Sequence, residues 1–586
     1  MKLEINLKKL AEVAGCHIIK GSPETVFDSF VTDTRKIKEG DFFWALKGAS
    51  FDASSPEILM KTIPAAKGWI IRTGAAADIP VDKMPDCVVE TDDTLKALQR
   101  LAAWHRQRFD IPVVSMTGSN GKSTTKEMVR SILSLKGKTC CNAGNLNNQV
   151  GVPLSVLELS ADDEYGVFEL GASHIGDIDE IAAIAQPSAG IITNIAPSHL
   201  EFFGSLENVF RTKTELLKHI QKNGTLVYNA DDRFLSGLSD NENLRLISFG
   251  HSEKADVRVC GDGTLFFRET REKMPLRLPY PGVHNIMNAA AAAAAALSLG
   301  VEPVLIKRGL ENYSAPAMRM QEIKFNNVSV ILDAYNANPQ SMSAAFAEMR
   351  QRPRPLCFML GDMKELGTFS EKYHRNIGRE LAEIKPDMVF LAGPEMKAAA
   401  EEYIKAGGDN LVWAEKPETW LEEARRLLEE SEKGSFLIKA SRSMRFERIT
   451  EKKENDSNPA PCKGCPGQIA DWAENAGFAV TVCDADANVI YMNARSRSTF
   501  EKYGSMIGKN LKDCHPPYAW AKIVKMLSDG SSNSYFIIKD GVKKFIHQSP
   551  WYEPGGTKPA GLVEISTVVP HDMPCYERKP HKEGEK

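Results

Sequence analysis

The sequence predicts an α/β protein with several domains in series, followed by a smaller α+β domain. Its 586 residues exceed the length at which single hydrophobic cores stop growing, about 250 to 300 residues. Short apolar runs alternate with helical patterns along most of the chain, and the glycine-rich string TGSNGKST follows one of these runs. Apolar strands separated by helices are typical of mainly parallel sheets covered on both faces.

The composition is that of a globular protein whose partner is a small molecule. Hydrophobic residues make up 42% and charged residues 26%, and the net charge of -4 shows no basic excess that would indicate nucleic acid. No apolar run approaches the roughly 18 to 20 residues that span a bilayer, and the N-terminus lacks a signal-peptide pattern. We therefore expect a cytoplasmic protein without membrane insertion.

The 11 cysteines do not form a recognisable disulfide framework. Cys87, Cys260 and Cys357 lie singly in apolar runs, which predicts buried free thiols. Only Cys462 and Cys465, in CKGC, have suggestive spacing. One such pair could supply half a metal site or form a reversible disulfide, and the spacing does not choose between them.

The strands of two α/β domains can be predicted in order. The first hundred residues predict a smaller α/β unit, and the next strands are predicted in IPVVSMTG, YGVFELG, AGIITNIA, GTLVYNADD and LRLISFG. The eight alanines of 289–296 predict a structural helix, because alanine is the best helix former. A second series of strands is predicted in VSVILDAYNANP, PLCFMLGDM, DMVFLAGP and GSFLIKAS.

The remaining chain predicts a linker and a separate domain. The string TEKKENDSNPAPCKGCPG is polar and proline-bearing, which is typical of a linker. After it, GFAVTVCDADANVIYMNARSRSTF predicts strand, turn, strand and helix, and NSYFIIKDGVKKFIHQSPWYE and AGLVEISTVV predict antiparallel strands. The tail ERKPHKEGEK is predicted to be disordered.

A phosphate-binding loop is predicted within VVSMTGSNGKSTTKEM, residues 113–128. A strand that leads through such a loop into a helix points backbone N–H groups at a bound phosphate. Lys122 would reach the terminal phosphates, and Ser123 would offer its hydroxyl to Mg²⁺. Met116 stands where the usual pattern has its first glycine, and a lone Gly-Lys-Ser is common. The strand–loop–helix context therefore carries the prediction.

Two further side chains follow predicted strands of the same sheet. Glu169 and His199 lie at the carboxyl edge, where open α/β sheets bind their ligands. Mg²⁺ prefers oxygen ligands and needs one or two groups beyond the loop. A lone Glu or His at a strand end is usually a hydrogen-bonding loop residue, but the two occur after successive strands.

These motifs occur in the order found in the Mur ligase family, which the chain resembles over roughly residues 1–450. The strings that carry the resemblance are TGSNGKST, FELGAS, APSHLEFFGS, HNIMNAAAA, AMRMQ, DAYNANPQSM, LGDMKELG and KASRSM. The family's loop resembles T-G-[ST]-N-G-K-[ST], which does not need the glycine that Met116 replaces. YNANPQSM and LGDMKELG resemble the family member that adds a D-alanyl-D-alanine dipeptide.

The resemblance implies a three-domain architecture and an amide-forming reaction. The implied domains are an N-terminal UDP-sugar domain (1–108), a central ATP-binding parallel-sheet domain with the phosphate loop (109–312) and a C-terminal Rossmann-like domain (313–450). With ATP and Mg²⁺, a carboxylate of UDP-N-acetylmuramoyl-tripeptide would become an acyl phosphate, which the amine of D-alanyl-D-alanine captures. The implied setting is peptidoglycan precursor synthesis, and the third peptide residue, diaminopimelate or lysine, stays open.

The resemblance also implies a role for each group of site residues. The nucleotide would contact Gly118, Ser119, Asn120, Gly121, Lys122, Ser123, Thr124, Asn285, Asn288, Arg319 and Asp333. The substrates would contact Thr32, Asp33, Arg35, Asn145, Asn147 and Asn148 on the donor side and Tyr335, Asn336, Asn338 and Pro339 on the acceptor side. The implied metal ligands are Ser123, Glu169, His199 and Lys213, and the implied catalytic residues are Lys122, Lys213, His199 and Arg319.

Lys213 has this role only as a carbamate. A bare ammonium beside divalent ions would be repelled, whereas carbamoylation makes the side chain an anion. The alternative is an ordinary solvated helix lysine.

Three positions depart from the family pattern. The family's Asp-Gly-His is Asp52-Ala53-Ser54 here, which puts the donor-sugar contacts in question. Its usual Lys-Gly-Ser-Arg is 439–442, Lys-Ala-Ser-Arg, and Trp44 replaces a more usual Phe or Val. The last two are expected to be packing changes.

The segment after the linker (451–466) resembles a PAS domain over residues 467–570, with 571–586 as the tail. The resemblance implies a sensory or docking module and offers homodimerisation through it as a hypothesis. Cofactor ligands in this module would come from His515, His547, Cys483 and Cys514, although solitary His and Cys residues are more often structural.

Two alternative functions stay open: a related amide ligase with other substrates, and a nucleotide-binding signalling protein on a ligase-like scaffold. The complete set of loop and metal-ligand residues favours an enzyme over a binding protein.

Overall fold

The computed structural model describes residues 3, 5–48, 51–238, 243–280, 282–325, 327–450, 473, 477–500, 506–513, 517–539, 542–552 and 558–569. The chain divides into two compact units, Met1–Glu451 and Lys452–Lys586. The predicted linker with Cys462 and Cys465, the residues Cys514 and His515, and the predicted tail lie outside the described residues. Within the described residues, no helix is long and apolar enough to cross a membrane.

The first part of the larger unit is a mixed sheet with three helices. Its elements are β1 (Ile5–Asn6), α1 (Leu7–Ala14), β2 (His17–Lys20), β3 (Val26–Phe27), β4 (Phe30–Val31), β5 (Asp41–Trp44), α2 (Pro56–Thr62), β6 (Ala66–Arg72), β7 (Cys87–Thr91) and α3 (Thr94–Arg106). The main sheet has the order β2-β7-β6-β5-β4, and β1 pairs with β3. Trp44 is buried and donates its indole N–H to the Thr94 carbonyl at 2.8 Å, so its bulk is absorbed by the core.

The central part is a larger sheet built mainly from parallel strands. Its strands are β8 (Val113–Thr117), β9 (Thr139–Cys141), β10 (Tyr165–Glu169), β11 (Ala189–Ile192), β12 (Thr225–Asn229), β13 (Arg245–Gly250), β14 (Val257–Val259), β15 (Thr264–Phe267) and β16 (Glu272–Pro275). Its helices are α4 (Lys122–Leu133), α5 (Gly151–Val156), α6 (Asp177–Ala185), α7 (Leu200–Phe203), α8 (Leu206–Thr214), α9 (Val283–Ser298) and α10 (Pro303–Glu311). The order is β16-β15-β14-β13-β12-β11-β8-β10-β9, antiparallel only at β14–β15 and β15–β16.

The alanine run lies in α9, as predicted. Ala289–Ala296 are fully buried, and the helix packs on α4 and on strands β11–β14. Small side chains allow this close approach to the sheet, which holds the start of α9 beside the phosphate loop. Asn285 and Asn288 lie on that first part of the helix.

The third part is a second, mainly parallel sheet. Its elements are β17 (Gln321–Phe325), β18 (Val328–Leu332), α11 (Pro339–Met349), β19 (Leu356–Gly361), α12 (Ser370–Ile384), β20 (Met388–Ala392), α13 (Met396–Lys405), β21 (Leu411–Ala414), α14 (Leu421–Glu430) and β22 (Ser435–Lys439). The order is β17-β18-β22-β19-β20-β21, and only β17 is antiparallel to its neighbour. Separate hydrophobic clusters cover the two faces of this sheet.

The predicted strands of both α/β series are confirmed, and the sequence analysis missed the strands at the sheet edges: β9, β14–β16, β17 and β21. The hairpin β14–β16 extends the central sheet, and β17 forms the edge of the second one. Cys87 and Cys357 are buried free thiols as predicted, and burial raises the pKa of each. The prediction for Cys260 is wrong, because this thiol is only half-buried, in the turn between β14 and β15.

His374 on α12 makes the stability of this unit pH-dependent. Its Nε2 accepts the Met363 N–H at 3.1 Å, and its Nδ1 lies 2.9 Å from the Ser370 carbonyl, so the neutral ring satisfies both partners. Burial lowers the pKa of His374 below its ordinary 6.5. Below that pH the unfolded chain binds the extra proton, so this contribution to stability is present at neutral pH and lost as the pH falls.

We expect His374→Gln to flatten part of the acid-side loss of stability. The measurement compares urea unfolding midpoints at about pH 7.5 and about pH 5.5 for the wild type and the variant. The control is the exposed His17→Gln, whose surroundings change little on unfolding. An equal acid-side loss in wild type and His374→Gln would contradict the expectation.

The smaller unit is an antiparallel sheet with helices. Its elements are β23 (Ala479–Asp484), β24 (Val489–Met492), α15 (Ala494–Phe500), α16 (Pro517–Asp529), β25 (Asn533–Lys539), β26 (Val542–Trp551) and β27 (Gly561–Val568). The order is β24-β23-β27-β26-β25. The buried Asn493 ties the first hairpin to the rest, since its side chain accepts the Val480 N–H and donates to the Ala473 carbonyl.

Candidate active site

The predicted phosphate loop joins β8 to α4. Gly118 and Gly121 have φ values of +144° and +82°, which side chains rarely adopt. A Cβ atom at Gly118 would lie 2.0 Å from the Thr193 Oγ1 atom. Lys122 donates from its Nζ to the Gly118 carbonyl at 2.8 Å and is therefore folded back over the loop. Burial lowers the pKa of Lys122, and the Glu169 carboxylate opposes that effect.

Gly118→Ala is expected to reduce nucleotide binding at least about tenfold. The new methyl group would meet both the Thr193 hydroxyl and the backbone N–H of Thr193 at 3.1 Å, so the loop must move and its N–H groups lose their alignment. Fluorescent ATP-analogue titration measures the effect. Gly74→Ala, also at positive φ but in open space, controls for backbone strain alone. Equal affinities of Gly118→Ala and wild type would contradict the expectation.

A cavity of about 730 Å³ opens beside the loop. The predicted residues that line it come from the loop, from α9 and from the third part of the unit: Ser119, Asn120, Gly121, Lys122, Thr124, Asn285, Asn288, Arg319, Asp333, Asn336 and Asn338. Its size is that of a ligand pocket. The structure thus brings residues of the phosphate loop and of the third part of the unit together around one cavity.

Glu169 lies at the carboxyl end of β10, next to the loop. Its register partner on β8 is Met116, one residue before the strand ends at Thr117. The side chain is buried, and its Oε1 accepts an N–H of Asn147 at 2.8 Å. Its Oε2 is buried without a hydrogen-bond partner among the described residues. A buried carboxylate oxygen left in this way fits a cation.

His199 follows β11 and is the residue before α7, with a left-handed backbone at φ of 51°. Its Nδ1 lies 2.5 Å from Glu365 Oε2, and Glu365 belongs to the loop after β19. The contact with His199 lowers the pKa of the Glu365 carboxyl. The imidazole at the edge of the central sheet is therefore held by the third part of the unit.

Lys213 is on α8, 1% exposed, with its Nζ 5.7 Å from the centre of the Phe203 ring. Burial, reinforced by the positive charge of Lys122, lowers its pKa to about 7. This finding excludes the solvated helix lysine considered above. Among the described residues, no group of three or more His, Cys, Asp or Glu side chains is placed to hold a metal, and the predicted ligands include only two such side chains.

Arg319 reaches from the third part of the unit to the loop. Its guanidinium donates to the Ser123 Oγ at 3.0 Å and lies 4.1 Å from the centre of the Tyr335 ring. The cation therefore stacks on an aromatic face beside the hydroxyl predicted to meet a metal.

Both carboxylate oxygens of Asp333 accept hydrogen bonds from other groups of the protein. Its Oδ2 accepts from the buried Lys439 Nζ at 2.5 Å, and its Oδ1 accepts the Met320 N–H at 3.2 Å. Lys439 also donates to the Asn336 carbonyl at 3.1 Å. Asp333 still lines the cavity.

The YNANPQ loop touches the phosphate loop directly. Asn338 donates from its side chain to Asn120 Oδ1 at 2.7 Å, and Asn120 donates to Gln340 Oε1 at 2.7 Å. Asn338 also caps α11 through a capping box with Ser341, and Pro339 takes the first helical position. The segment therefore forms the turn that its sequence predicts, and its hydrogen bonds to Asn120 connect the central sheet with the second sheet.

The donor-side residues lie away from this cavity's lining. Asp33 and Arg35 pair with each other at 2.8 Å on the surface of the first part, beside Thr32. Asn145, Asn147 and Asn148 lie in the loop before α5, where the Asn148 side chain accepts the Gly151 N–H at 2.9 Å.

The sequence analysis missed several cavity residues: Thr193, Asn194, Asp231, Asp232, Arg233, His251, His284, Gln340 and Lys439. Two had a local signal, since His284 opens the HNIMN string and Lys439 opens KASRSM. Gln340 lies in α11, within the DAYNANPQSM string. The others follow the ends of β11, β12 and β13, and only the strand order shows that those ends are adjacent. Gly118, Ser123, Tyr335, Pro339, Glu169, His199 and Lys213 are predicted site residues that do not line the cavity.

A phosphate loop on a parallel sheet, facing a second α/β sheet across a ligand-sized cavity, defines a nucleotide-dependent α/β enzyme. The family model described as the Mur ligase middle domain matches residues 116–296, and the model described as the Mur ligase glutamate ligase domain matches residues 318–442.

Relatives that the chain matches over most of their own length support this class. The UDP-N-acetylmuramoyl-tripeptide--D-alanyl-D-alanine ligase of Escherichia coli is 34% identical over 76% of this chain and 98% of its own, and that of Bacillus subtilis is 34% identical over 73% and 93%. A crystal structure of MurF from Acinetobacter baumannii matches with a TM-score of 0.70 at 32% identity, covering 76% of this chain and 98% of that one. MurF from Thermotoga maritima, in complex with ADP, matches at 0.62 and 27% identity, covering 72% and 96%.

The chain belongs to the Mur ligase family. It is an ATP-dependent, amide-forming ligase with that family's three-domain α/β architecture, and it is MurF-like.

Proposed function

We propose that the chain joins D-alanyl-D-alanine to UDP-N-acetylmuramoyl-tripeptide in peptidoglycan precursor synthesis in the cytoplasm. The names of the curated relatives, which the chain matches over nearly their whole length, support the substrates. The observation that carries the proposal is the junction of Asn338 with Asn120, which sets the YNANPQ loop against the phosphate loop. An acceptor held by the first would lie close to a phosphate held by the second.

The reaction proceeds in two steps. A carboxylate oxygen of the tripeptide attacks the γ-phosphorus of ATP, ADP leaves, and an acyl phosphate forms. The amine of D-alanyl-D-alanine then attacks the acyl carbon and loses a proton. Phosphate departs with the former carboxylate oxygen, which leaves the new amide. The protein's part is positioning and charge stabilisation, as in other phosphoryl transfers.

The chain's own residues supply that positioning. The N–H groups of residues 118–124 and the Lys122 ammonium hold the phosphates at the start of α4. Arg319 supplies positive charge to the γ-phosphate, and its stacking on Tyr335 keeps the guanidinium oriented. Asn285 and Asn288 meet the adenine side. Asp333, which lines the cavity and pairs with Lys439, would contact the nucleotide from the third part of the unit.

Four residues would hold Mg²⁺: Ser123, Glu169, His199 and a carbamoylated Lys213. Bound Mg²⁺ would neutralise charge on the phosphate oxygens. The buried Oε2 of Glu169 fits that cation, and the burial of Lys213 fits an amine that is modified rather than solvated. Asn147 orients Glu169 through its 2.8 Å hydrogen bond.

The remaining substrate contacts divide between the donor and the acceptor substrate. We place the UDP-sugar donor at Thr32, Asp33, Arg35, Asn145, Asn147 and Asn148. Asp52 belongs to the Asp-Ala-Ser string that differs from the family pattern. Its carboxylate pairs with Arg72 at 2.9 Å. The acceptor dipeptide meets Tyr335, Asn336, Asn338 and Pro339.

We also propose the domain boundaries 1–108, 109–312 and 313–450, a linker at 451–466 and a PAS-like domain at 467–570. The strand order β24-β23-β27-β26-β25, with α15 and α16 between β24 and β25, supports the PAS-like assignment. Its role is sensing or docking, with a homodimer as one consequence. Cys483 is buried and lines a small cavity, and His547 hydrogen-bonds to Ser534 at 2.7 Å.

Phosphate release from ATP tests the proposed function. We expect release to require both UDP-muramoyl tripeptide and D-alanyl-D-alanine, with Mg²⁺ present. A panel with D-alanine, single amino acids or folyl substrates separates related amide ligases, and tripeptides with diaminopimelate or lysine define the donor. ATP binding without product from any panel member would favour the signalling alternative and reject the ligase proposal.

A further inference from the structure

We propose that Gln340 is a positioning residue that couples acceptor binding to nucleotide binding through the side-chain amide of Asn120. This inference rests on the proposed function, because it takes the segment that begins α11 as part of the acceptor site. Gln340 is the second residue of α11, and it lines the cavity together with Asn120 and Asn338.

The side-chain amide of Asn120 is held at both of its ends by the third part of the unit. Its Nδ2 donates to Gln340 Oε1, and its Oδ1 accepts from Asn338 Nδ2, each at 2.7 Å. An amide carries its acceptor on one end and its donors on the other. Because each end has a partner, both the plane and the direction of this amide are fixed. Gln340 supplies the second of the two restraints.

The backbone of Asn120 belongs to the phosphate loop and is bonded to the central part. Its N–H donates to Asn194 Oδ1 at 3.0 Å, and its carbonyl accepts the Thr193 hydroxyl at 2.6 Å. Thr193 and Asn194 directly follow β11. Asn120 is therefore bonded to the central sheet through its backbone and to α11 through its side chain. A displacement of α11 pulls on the loop whose N–H groups hold the phosphates in the proposed function.

The start of α11 is rigid enough to transmit such a displacement. Asn338 Oδ1 accepts the Ser341 N–H at 2.9 Å, and Ser341 Oγ accepts the Asn338 N–H at 3.0 Å. This capping box and the fixed φ of Pro339 hold the first turn in one conformation. A dipeptide that contacts this turn therefore acts on Asn120 without touching the phosphate loop.

Two ligands that favour the same connection raise one another's affinity, and by thermodynamic linkage the factor is equal in both directions. We expect a nucleotide to raise the affinity for the acceptor dipeptide at least about fivefold, which is the lower end of usual coupling. The three side chains in contact are neutral amides. The coupling should therefore persist at high ionic strength, whereas attraction between the charges of the two ligands is screened by salt.

Isothermal titration calorimetry of the full chain tests the proposal. The affinity for D-alanyl-D-alanine is measured with and without a saturating β,γ-imido analogue of ATP, and the ratio of the two affinities is the coupling factor. We expect Gln340→Met, which keeps the length of the side chain but removes its acceptor oxygen, to lower this factor about fivefold, as the loss of one hydrogen bond implies. A loss of direct contact with either ligand lowers both affinities equally and leaves the ratio unchanged.

Two further variants serve as controls. Gln340→Glu keeps an acceptor oxygen for Asn120 Nδ2 and should retain the coupling factor, even where its charge lowers the nucleotide affinity itself. Gln351→Met changes an exposed glutamine just beyond the end of α11 and should leave the factor unchanged. Arg319 still joins the third part to Ser123 in all of these variants, so docking does not depend on Gln340 alone.

The outcomes separate this proposal from the proposed function. A wild-type factor of one, or equal factors in Gln340→Met and wild type, would overturn the coupling through Asn120. A factor lost in Gln340→Glu as well would show that the acceptor oxygen is not its cause and would overturn it too. Wild-type protein that binds no D-alanyl-D-alanine, with or without the nucleotide, would contradict the proposed function instead.

Discussion

Lys122→Ala is expected to lower the rate of substrate-dependent phosphate release at least about a hundredfold. Removal of a single group that stabilises charge in a transition state typically costs 10²- to 10³-fold. Lys122 is the cation at the start of α4, and its Nζ already lies at the loop, 2.8 Å from the Gly118 carbonyl. No backbone rearrangement is needed for it to turn toward a phosphate. Steady-state phosphate release with saturating substrates measures the effect.

The matched control is Lys136→Ala. Lys136 lies three residues beyond the end of α4 and is exposed, with its Nζ bonded to the Gly300 carbonyl. This substitution removes the same charge from the same segment and should leave the rate within about twofold, as is usual for surface changes. A Lys122→Ala enzyme that retains more than about a third of the wild-type rate would contradict the assignment.

Asp333→Asn is expected to destabilise the larger unit by about 3 to 5 kcal/mol, the usual cost of removing one partner of a buried ion pair. Lys439 is 1% exposed, and its Nζ lies 2.5 Å from Asp333 Oδ2. The neutral amide cannot balance the buried ammonium. Urea unfolding at neutral pH measures the free energy of unfolding, and the loss should appear as a lower midpoint.

A compensating variant tests the cause of that loss. Lys439→Met removes the unpaired charge with little change in volume, so Asp333→Asn combined with Lys439→Met should recover most of the lost stability. A double variant as unstable as Asp333→Asn would show that the carboxylate stabilises the fold through Met320 or another contact. The ion pair would then not account for the effect.

The local features of the active site were predictable from sequence because they depend on neighbouring residues. The strand, loop and helix around Lys122 follow from an apolar run, two glycines with positive φ and a helical pattern. The burial of α9 likewise follows from its alanine run. The position of Glu169 could be predicted because carboxyl ends of neighbouring parallel strands meet at one edge.

The contacts between distant segments could not be predicted by periodicity. Asn338 and Asn120 are far apart in sequence, but they are hydrogen-bonded in the structure. Each also has a role within its own segment, Asn338 as a helix cap and Asn120 as a residue of the phosphate loop. Asp333 also makes such contacts. Its predicted nucleotide contact stays a prediction, and the structure adds that its Oδ2 accepts from Lys439 and its Oδ1 from the Met320 N–H. Such pairings depend on how the two sheets face each other.

The edge strands were missed for a different reason. The segments of β14–β16 are short, and part of this hairpin is polar and exposed, so their alternation is weak. They join the central sheet because β13 would otherwise present an open edge. Tertiary pairing, and not local propensity, determines these strands.

The measurement that tests the central claim most directly is mass spectrometry of both products formed from a tripeptide substrate whose reacting carboxylate carries ¹⁸O. Ligation through an acyl phosphate predicts a UDP-muramoyl pentapeptide and the transfer of one ¹⁸O atom into inorganic phosphate. The transfer should require D-alanyl-D-alanine and disappear with Lys122→Ala. Phosphate that contains no ¹⁸O, or release of phosphate without the pentapeptide, would contradict this account of the reaction.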